Sequence, residues 1–145
     1  MGAKAFIVFG AILAAAGVLA GAYGAHGLEK HLDRYELSQA KLDRRVKDYE
    51  VAVRYQMYHA LGLVAAGLLA MRRPSAWLGV AVAAWLAGIL LFSGCLYLLV
   101  LNVPVPGILV MVGGLSYTFG WLALAVGAAR IPIEMPPRGR AASPS

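Results

Sequence analysis

Residues 76–101 run for 26 positions without a charged side chain. Two further runs of this kind flank them, residues 5–25 with 21 positions and residues 107–129 with 23. A helix crossing the hydrocarbon of a bilayer needs about 20 mostly apolar residues at about 1.5 Å of rise each. Helices this long and apolar on every side belong in lipid, because backbone polar groups are satisfied inside the helix and no side chain needs water. A fourth apolar run, residues 57–71, is only 15 positions long. Extending it back to Val51 gives 21 and takes in Arg54, which snorkels to the headgroups from near the end of a span. The first run exceeds the h-region of about 7–15 residues of a cleaved signal, so it is read as a retained span. The reading is therefore all-α: a polytopic membrane protein with four spans near residues 5–25, 51–71, 76–101 and 107–129, forming one domain over residues 1–130. A Pro/Arg-rich tail, residues 131–145, follows.

The charges support this. Of 20 charged residues, 13 lie between Glu29 and Arg54. The net charge of +6 does not point to nucleic acid, because Lys and Arg sit in loops beside apolar runs, where they set topology and meet anionic lipid. The single Cys95 rules out an intrachain disulfide and a CxxC redox or metal pair.

The first loop has helical periodicity. Leu42, Val46, Tyr49 and Val53 recur at i, i+4, i+7 and i+11, one stripe running into the second span, so a single long helix is expected from about Asp43. Leu28, Leu32 and Tyr35 form a shorter stripe upstream. This amphipathic segment is expected to lie on the membrane surface or cap the bundle.

With an even number of spans both termini share a side, together with the loop at Arg72 and Arg73. Counts of Lys and Arg on the two sides nearly tie. Arg72, Arg73 and Arg130 abut their spans directly, which puts both termini in the cytoplasm. Trp77 beside Arg73 suits an interfacial anchor.

Helices in lipid associate where small residues let backbones approach. Gly17 and Gly21 form a GxxxG, and looser pairs begin or end at Gly62, Gly88, Gly120 and Ser116. Gly94, Gly113 and Gly114 are further packing candidates. The short connections at residues 72–75 and 102–106 require antiparallel neighbours, hence an up-down four-helix bundle. The same faces would serve a homo-oligomer or a larger membrane complex.

No Asp or Glu lies inside a span, which argues against a proton pump, an ion-coupled transporter or a Ser-His-Asp catalyst. The remaining polar residues are His26 at the end of the first span, Tyr55, Gln56 and His59 in the second, Ser93 and Tyr97 in the third, and Ser116 and Tyr117 in the fourth. Counted from the outer ends, His59 and Ser93 lie roughly 12 Å deep, Gly113 about 9 Å and Tyr97 about 6 Å, one layer in the outer half. Two readings stand. Interhelical hydrogen bonds among His, Ser and Tyr need no cofactor. Alternatively the layer binds haem, quinone or lipid, with His as axial ligand or headgroup donor. Two His without a third ligand make a poor metal site.

Four segments carry a family resemblance: Gly21-Ala-Tyr-Gly-Ala-His26-Gly, Tyr55-Gln-Met-Tyr-His59, Phe92-Ser-Gly-Cys-Leu-Tyr97, and Gly113-Gly-Leu-Ser-Tyr117 with Gly120-Trp121. In this order they resemble the YgdD/YwdK-type small integral membrane proteins, a domain-of-unknown-function family with an animal relative called transmembrane protein 256. The resemblance covers about residues 6–130. It implies a four-span bundle in the bacterial inner membrane with both termini inside, and it implies no reaction. Cys95 stands where the family usually has Ser. Met111 stands where it usually has Pro, which removes the residue that would kink the fourth span, while Pro104 and Pro106 bend the chain at its start. The charged first loop is longer than the family leads one to expect.

The function expected on these grounds is a non-catalytic membrane protein that packs against a larger membrane complex. The alternative is the ligand-binding bundle.

Overall fold

The computed structural model describes residues 2–130; the Pro/Arg-rich tail, 131–145, lies outside them. Among the described residues the chain is helical with no strand. Helix α1 spans Ala3–His26, α2 Leu28–Leu32, α3 Gln39–Arg72, α4 Ala76–Gly88, α5 Cys95–Val100 and α6 Gly107–Ala129. A short 3-10 turn, Asp33–Tyr35, follows α2, and one wide π-turn, Ile89–Gly94, joins α4 to α5 without breaking the rod. Three helices are long and apolar enough to cross a membrane: Ala3–His26, the continuous Ala76–Val100, and Gly107–Ala129.

Helix α3 is the exception and the centre. It is 34 residues long and begins at Gln39, a turn earlier than its hydrophobic stripe leads one to expect. It packs on α1, α4, α5 and α6. Along α1 the contacts run in opposite order: Gly24 meets Tyr49, Gly17 meets Gln56, Gly10 meets Ala60 and Gly67 meets Ala3. The two helices are therefore antiparallel over the whole of α1. Helices α4 and α6 are antiparallel likewise, since Gly127 meets Leu78, Gly120 meets Trp85 and Gly113 meets Phe92.

Both seams depend on missing side chains. A Cβ on Gly10 would stand 2.7 Å from the Ala60 carbonyl oxygen, and one on Gly113 2.5 Å from the Phe92 amide nitrogen, where backbone cannot give way. The GxxxG pair is looser: Cβ atoms on Gly17 and Gly21 would stand 3.4 and 3.7 Å from Met57 and Val53. Gly62 faces the Trp85 ring, Gly88 the Tyr117 ring and Gly120 the Trp85 indole. Gly114 reaches Phe92 only at 3.7 Å, and Gly94 meets only the Ile89 carbonyl of its own helix. Helix α6 runs unbroken through Met111 from Pro106 at its cap.

Two cores result. The larger lies among α1, α3, α4 and α6 and contains Phe6, Leu63, Leu78, Trp85 and Tyr117. The smaller lies under the first loop: Leu28, Leu32, Tyr49 and Val100, with Tyr35, Leu42, Val46 and Val53 against them. Both stripes of the first loop thus fold onto the end of the helical rods, and the Tyr35 hydroxyl donates to the Leu101 carbonyl at 3.4 Å. Outside, large apolar side chains such as Ile12, Leu19, Leu90, Leu115 and Leu122 are more than half exposed. Such a surface suits lipid rather than water.

Candidate functional site

Helix α3 turns Gln56 and His59 inward. Gln56 and His59 are buried at 6% and 3% exposure although each sits in an apolar stretch. They lie on the same stripe as Tyr49, Ala52, Leu63 and Ala66, the face that meets the other rods.

His59 is held on three sides. Its Nδ1 lies 2.7 Å from the Tyr55 carbonyl one turn earlier, and the Trp121 indole N–H donates to its Nε2 at 3.2 Å. The indole can only donate, so Nε2 accepts and the proton sits on Nδ1, donating to Tyr55. The ring also stacks on Tyr117, with centroids 3.5 Å apart and planes 8° from parallel. The Tyr117 hydroxyl in turn shares a hydrogen bond with Ser93 Oγ at 3.0 Å. Ser93 lies in the π-turn, whose extra residue resets the register so that its fully buried hydroxyl faces α6.

Gln56 organises a second set. Its amide nitrogen donates to the Leu13 carbonyl of α1 at 2.8 Å, and its amide oxygen accepts from the Tyr97 hydroxyl of α5 at 3.0 Å. Two turns outward, the Tyr49 hydroxyl donates to the Ala20 carbonyl at 2.7 Å and its ring meets Tyr97 edge-on. These bonds tie α3 to α1, α5 and α6.

The residues singled out from the sequence therefore separate into groups. Tyr55, His59, Ser93 and Tyr117 come together, and Gln56 and Tyr97 come together beside them. His26 does not join either group: it is exposed at the end of α1, beyond the level of Tyr49. Ser116 points away, donating to the Val112 carbonyl of its own helix at 3.0 Å. Sequence reasoning missed Trp121, Trp85 and Tyr49 as partners. Trp121 follows Tyr117 by four residues and so shares its face, which was the available signal. Trp85 is fully buried against Gly62 and Gly120, and its indole N–H has no hydrogen-bond partner among the described residues.

An open groove of about 400 Å³ leads from the outer surface to this cluster, lined by Tyr55, Tyr58, His59, Tyr117 and Trp121. Both nitrogens of His59 are engaged, so axial ligation through Nε2 would displace the Trp121 bond. Among the described residues no three His, Cys, Asp or Glu side chains gather as a metal site would require.

The sequence profile described as "Protein of unknown function (DUF423)" matches residues 20–114. The chain belongs to the DUF423 family. Among its relatives is a UPF0382 membrane protein of Staphylococcus saprophyticus, 39% identical over 133 residues, covering 88% of this chain and 99% of that one. The UPF0382 membrane protein YwdK of Bacillus subtilis is 38% identical over 130 residues, covering 88% and 98%. A UPF0382 membrane protein of Haemophilus influenzae is 34% identical over 112 residues, covering 77% and 82%. No solved structure matches the chain. This DUF423 protein is a membrane protein with membrane-crossing helices, and the YwdK resemblance seen in its motifs is a true family relation. The DUF423 match covers Gln56, His59, Ser93 and Tyr97, while Tyr117 and Trp121 fall just beyond it.

Proposed function

We propose that this chain crosses the bacterial inner membrane four times, with both termini in the cytoplasm, and serves as a non-catalytic component packing against a larger membrane complex. Support for the fourth span comes from α3 lying along α1 from Tyr49 beside Gly24 to Gly67 beside Ala3. A helix that covers a spanning helix from end to end spans as well. Gln56 and His59 escape lipid by facing the bundle centre, which lets α3 be less apolar than its neighbours. An up-down bundle accords with the antiparallel pairs α1–α3 and α4–α6. Lys4, Arg72, Arg73 and Arg130 gather at one end, in keeping with a cytoplasmic face. There Arg130 lies over the Trp77 ring at 5.4 Å.

The observation that carries the non-catalytic reading is that the buried polar side chains are paired with other helices and with backbone. His59 is bonded to the Tyr55 carbonyl and to Trp121, Gln56 to the Leu13 carbonyl and to Tyr97, and Tyr117 to Ser93. Among the described residues no acid stands beside them to move a proton, and the exterior is apolar enough to meet another membrane protein. Gentle solubilisation of the tagged protein from its native membrane tests this. A second membrane protein retained at fixed ratio is expected. Recovery of monomer or homodimer alone contradicts it.

A second reading rests on the aromatic groove at His59, whose size and lining fit a planar lipophilic headgroup such as a quinone. Solvent extraction of the purified protein followed by mass spectrometry tests it. A stoichiometric quinone or lipid lost in Tyr58→Ala supports it, and an empty extract removes it. Haem is disfavoured by the engaged Nε2, and a visible spectrum without a Soret band would agree.

A further inference from the structure

Where α1 gives way to the cap, a second open groove of about 360 Å³ runs between Gly21, Gly24 and Ala25 on one wall and Val46 and Val53 on the other, with Glu50 and Arg54 beside it. Both charged side chains are exposed. On the α1 wall no side chain is larger than a methyl group, so the valines of α3 stay open to a molecule lying along the groove. The Tyr49 hydroxyl behind them is tied to the Ala20 carbonyl, which holds that wall in place.

Three features of this groove point to one chemistry. Glu50 and Arg54 are one helical turn apart, about 6 Å along the axis, and Glu50 is the outer of the two. The apolar lining, Gly21, Gly24, Ala25, Leu28, Val46 and Val53, lies beside these two charges and level with the end of the apolar run of α1. Its charges balance, one acid and one base, so it offers nothing special to a purely anionic headgroup, whose phosphate would meet Arg54 while Glu50 repelled it. The adjoining groove on the side of Glu50 is acidic, with Glu29, Asp43 and Glu50 against Lys47, which suits an ammonium there.

We propose that this groove binds one phosphatidylethanolamine molecule, with its phosphate on the Arg54 guanidinium, its primary ammonium on the Glu50 carboxylate, and an acyl chain along Gly21 and Val53. The proposal rests on the four-span reading, which sets the groove at the headgroup level. A guanidinium presents paired N–H donors matched to phosphate oxygens. A carboxylate accepts from the N–H groups of a primary ammonium, which the quaternary nitrogen of phosphatidylcholine lacks. The carboxylate outside and the guanidinium one turn further in follow the order of amine and phosphate in the lipid, and the apolar lining beside them takes the start of an acyl chain.

The test is native mass spectrometry of the purified protein with phosphatidylethanolamine, phosphatidylglycerol and phosphatidylcholine added in equal amounts. Wild type should retain phosphatidylethanolamine about tenfold over the other two, the worth of one charge-assisted hydrogen bond. Arg54→Gln should lower that retention about tenfold, and Glu50→Gln should erase the preference over phosphatidylglycerol while leaving phosphatidylglycerol itself bound. Both side chains are exposed, so neither variant disturbs a core. Equal retention of the three lipids, or retention indifferent to Arg54→Gln, overturns the proposal. Cysteines at Ala40 and Pro74, placed singly in a Cys95→Ala background, report topology in the same membranes. Labelling from opposite sides with equal lipid retention removes the lipid site alone. Labelling from one side removes the four-span reading and the lipid site together.

Discussion

The two cores of this molecule bury side chains equally well for different reasons. Leu32, beneath the first loop, is 1% exposed, and Leu63, among the long helices, is 0% exposed. The loop core forms where the chain leaves the apolar runs and water is the competing environment, so burying Leu32 gains the full hydrophobic transfer term. Leu63 has lipid as its alternative, and lipid is as apolar as the protein interior. What holds it is close packing and the polar bonds around it. The charged loop is thus a small water-facing fold set on a larger lipid-facing one.

Matched truncations test this difference. Leu32→Ala is expected to cost about 2–5 kcal/mol, the transfer loss plus the cavity. Leu63→Ala should cost roughly half as much, because the cavity remains but the transfer term falls away. Chemical denaturation in mixed micelles measures both, and equal costs would break the comparison. Gly113→Ala probes packing without any truncation. Its new methyl group meets the backbone of Leu91 and Phe92, and a loss of about 1–3 kcal/mol is expected from overpacking the α4–α6 seam. The smallest effect should come from the polar bonds. Trp121→Phe, which removes the donor to His59, should cost about 0.6 kcal/mol, the usual worth of an interhelical hydrogen bond in a membrane. A loss several times larger would mean that His59 does more than hold helices.

Much of the fold was legible because lipid writes a strong signal. Charge-free runs located three helices directly, and the stripes Leu28–Leu32–Tyr35 and Leu42–Val46–Tyr49–Val53 located the cap. Two features had no signal. The π-turn lies in Ile-Leu-Leu-Phe-Ser-Gly, where nothing in the residue types announces an extra residue per turn, and without it the Ser93–Tyr117 bond could not be read. The closest contacts between α1 and α3 were also hidden, although Gly88, Gly113 and Gly120 at the tight contacts of α4–α6 were named. Gly10, Gly24 and Gly67 approach their neighbours more tightly than the GxxxG pair does, because motif spacing reports a small-residue face and not the angle at which the partner crosses it. In the site, counting depth from span ends put His26 near the polar layer, whereas the packing of α1 on α3 sets it beyond. Trp121 was passed over because an aromatic in an apolar run usually signifies packing. Its indole N–H acquires a role only once His59 is known to face α6.

That α3 threads the membrane at the centre of the other rods is the claim on which the rest depends. The direct measurement is labelling of intact cells with a membrane-impermeant maleimide, using Ala40→Cys and Pro74→Cys in the Cys95→Ala background. The account predicts that the cysteine at 40 reacts from outside and the one at 74 only after the membrane is permeabilised. Both reacting from the same side would contradict it.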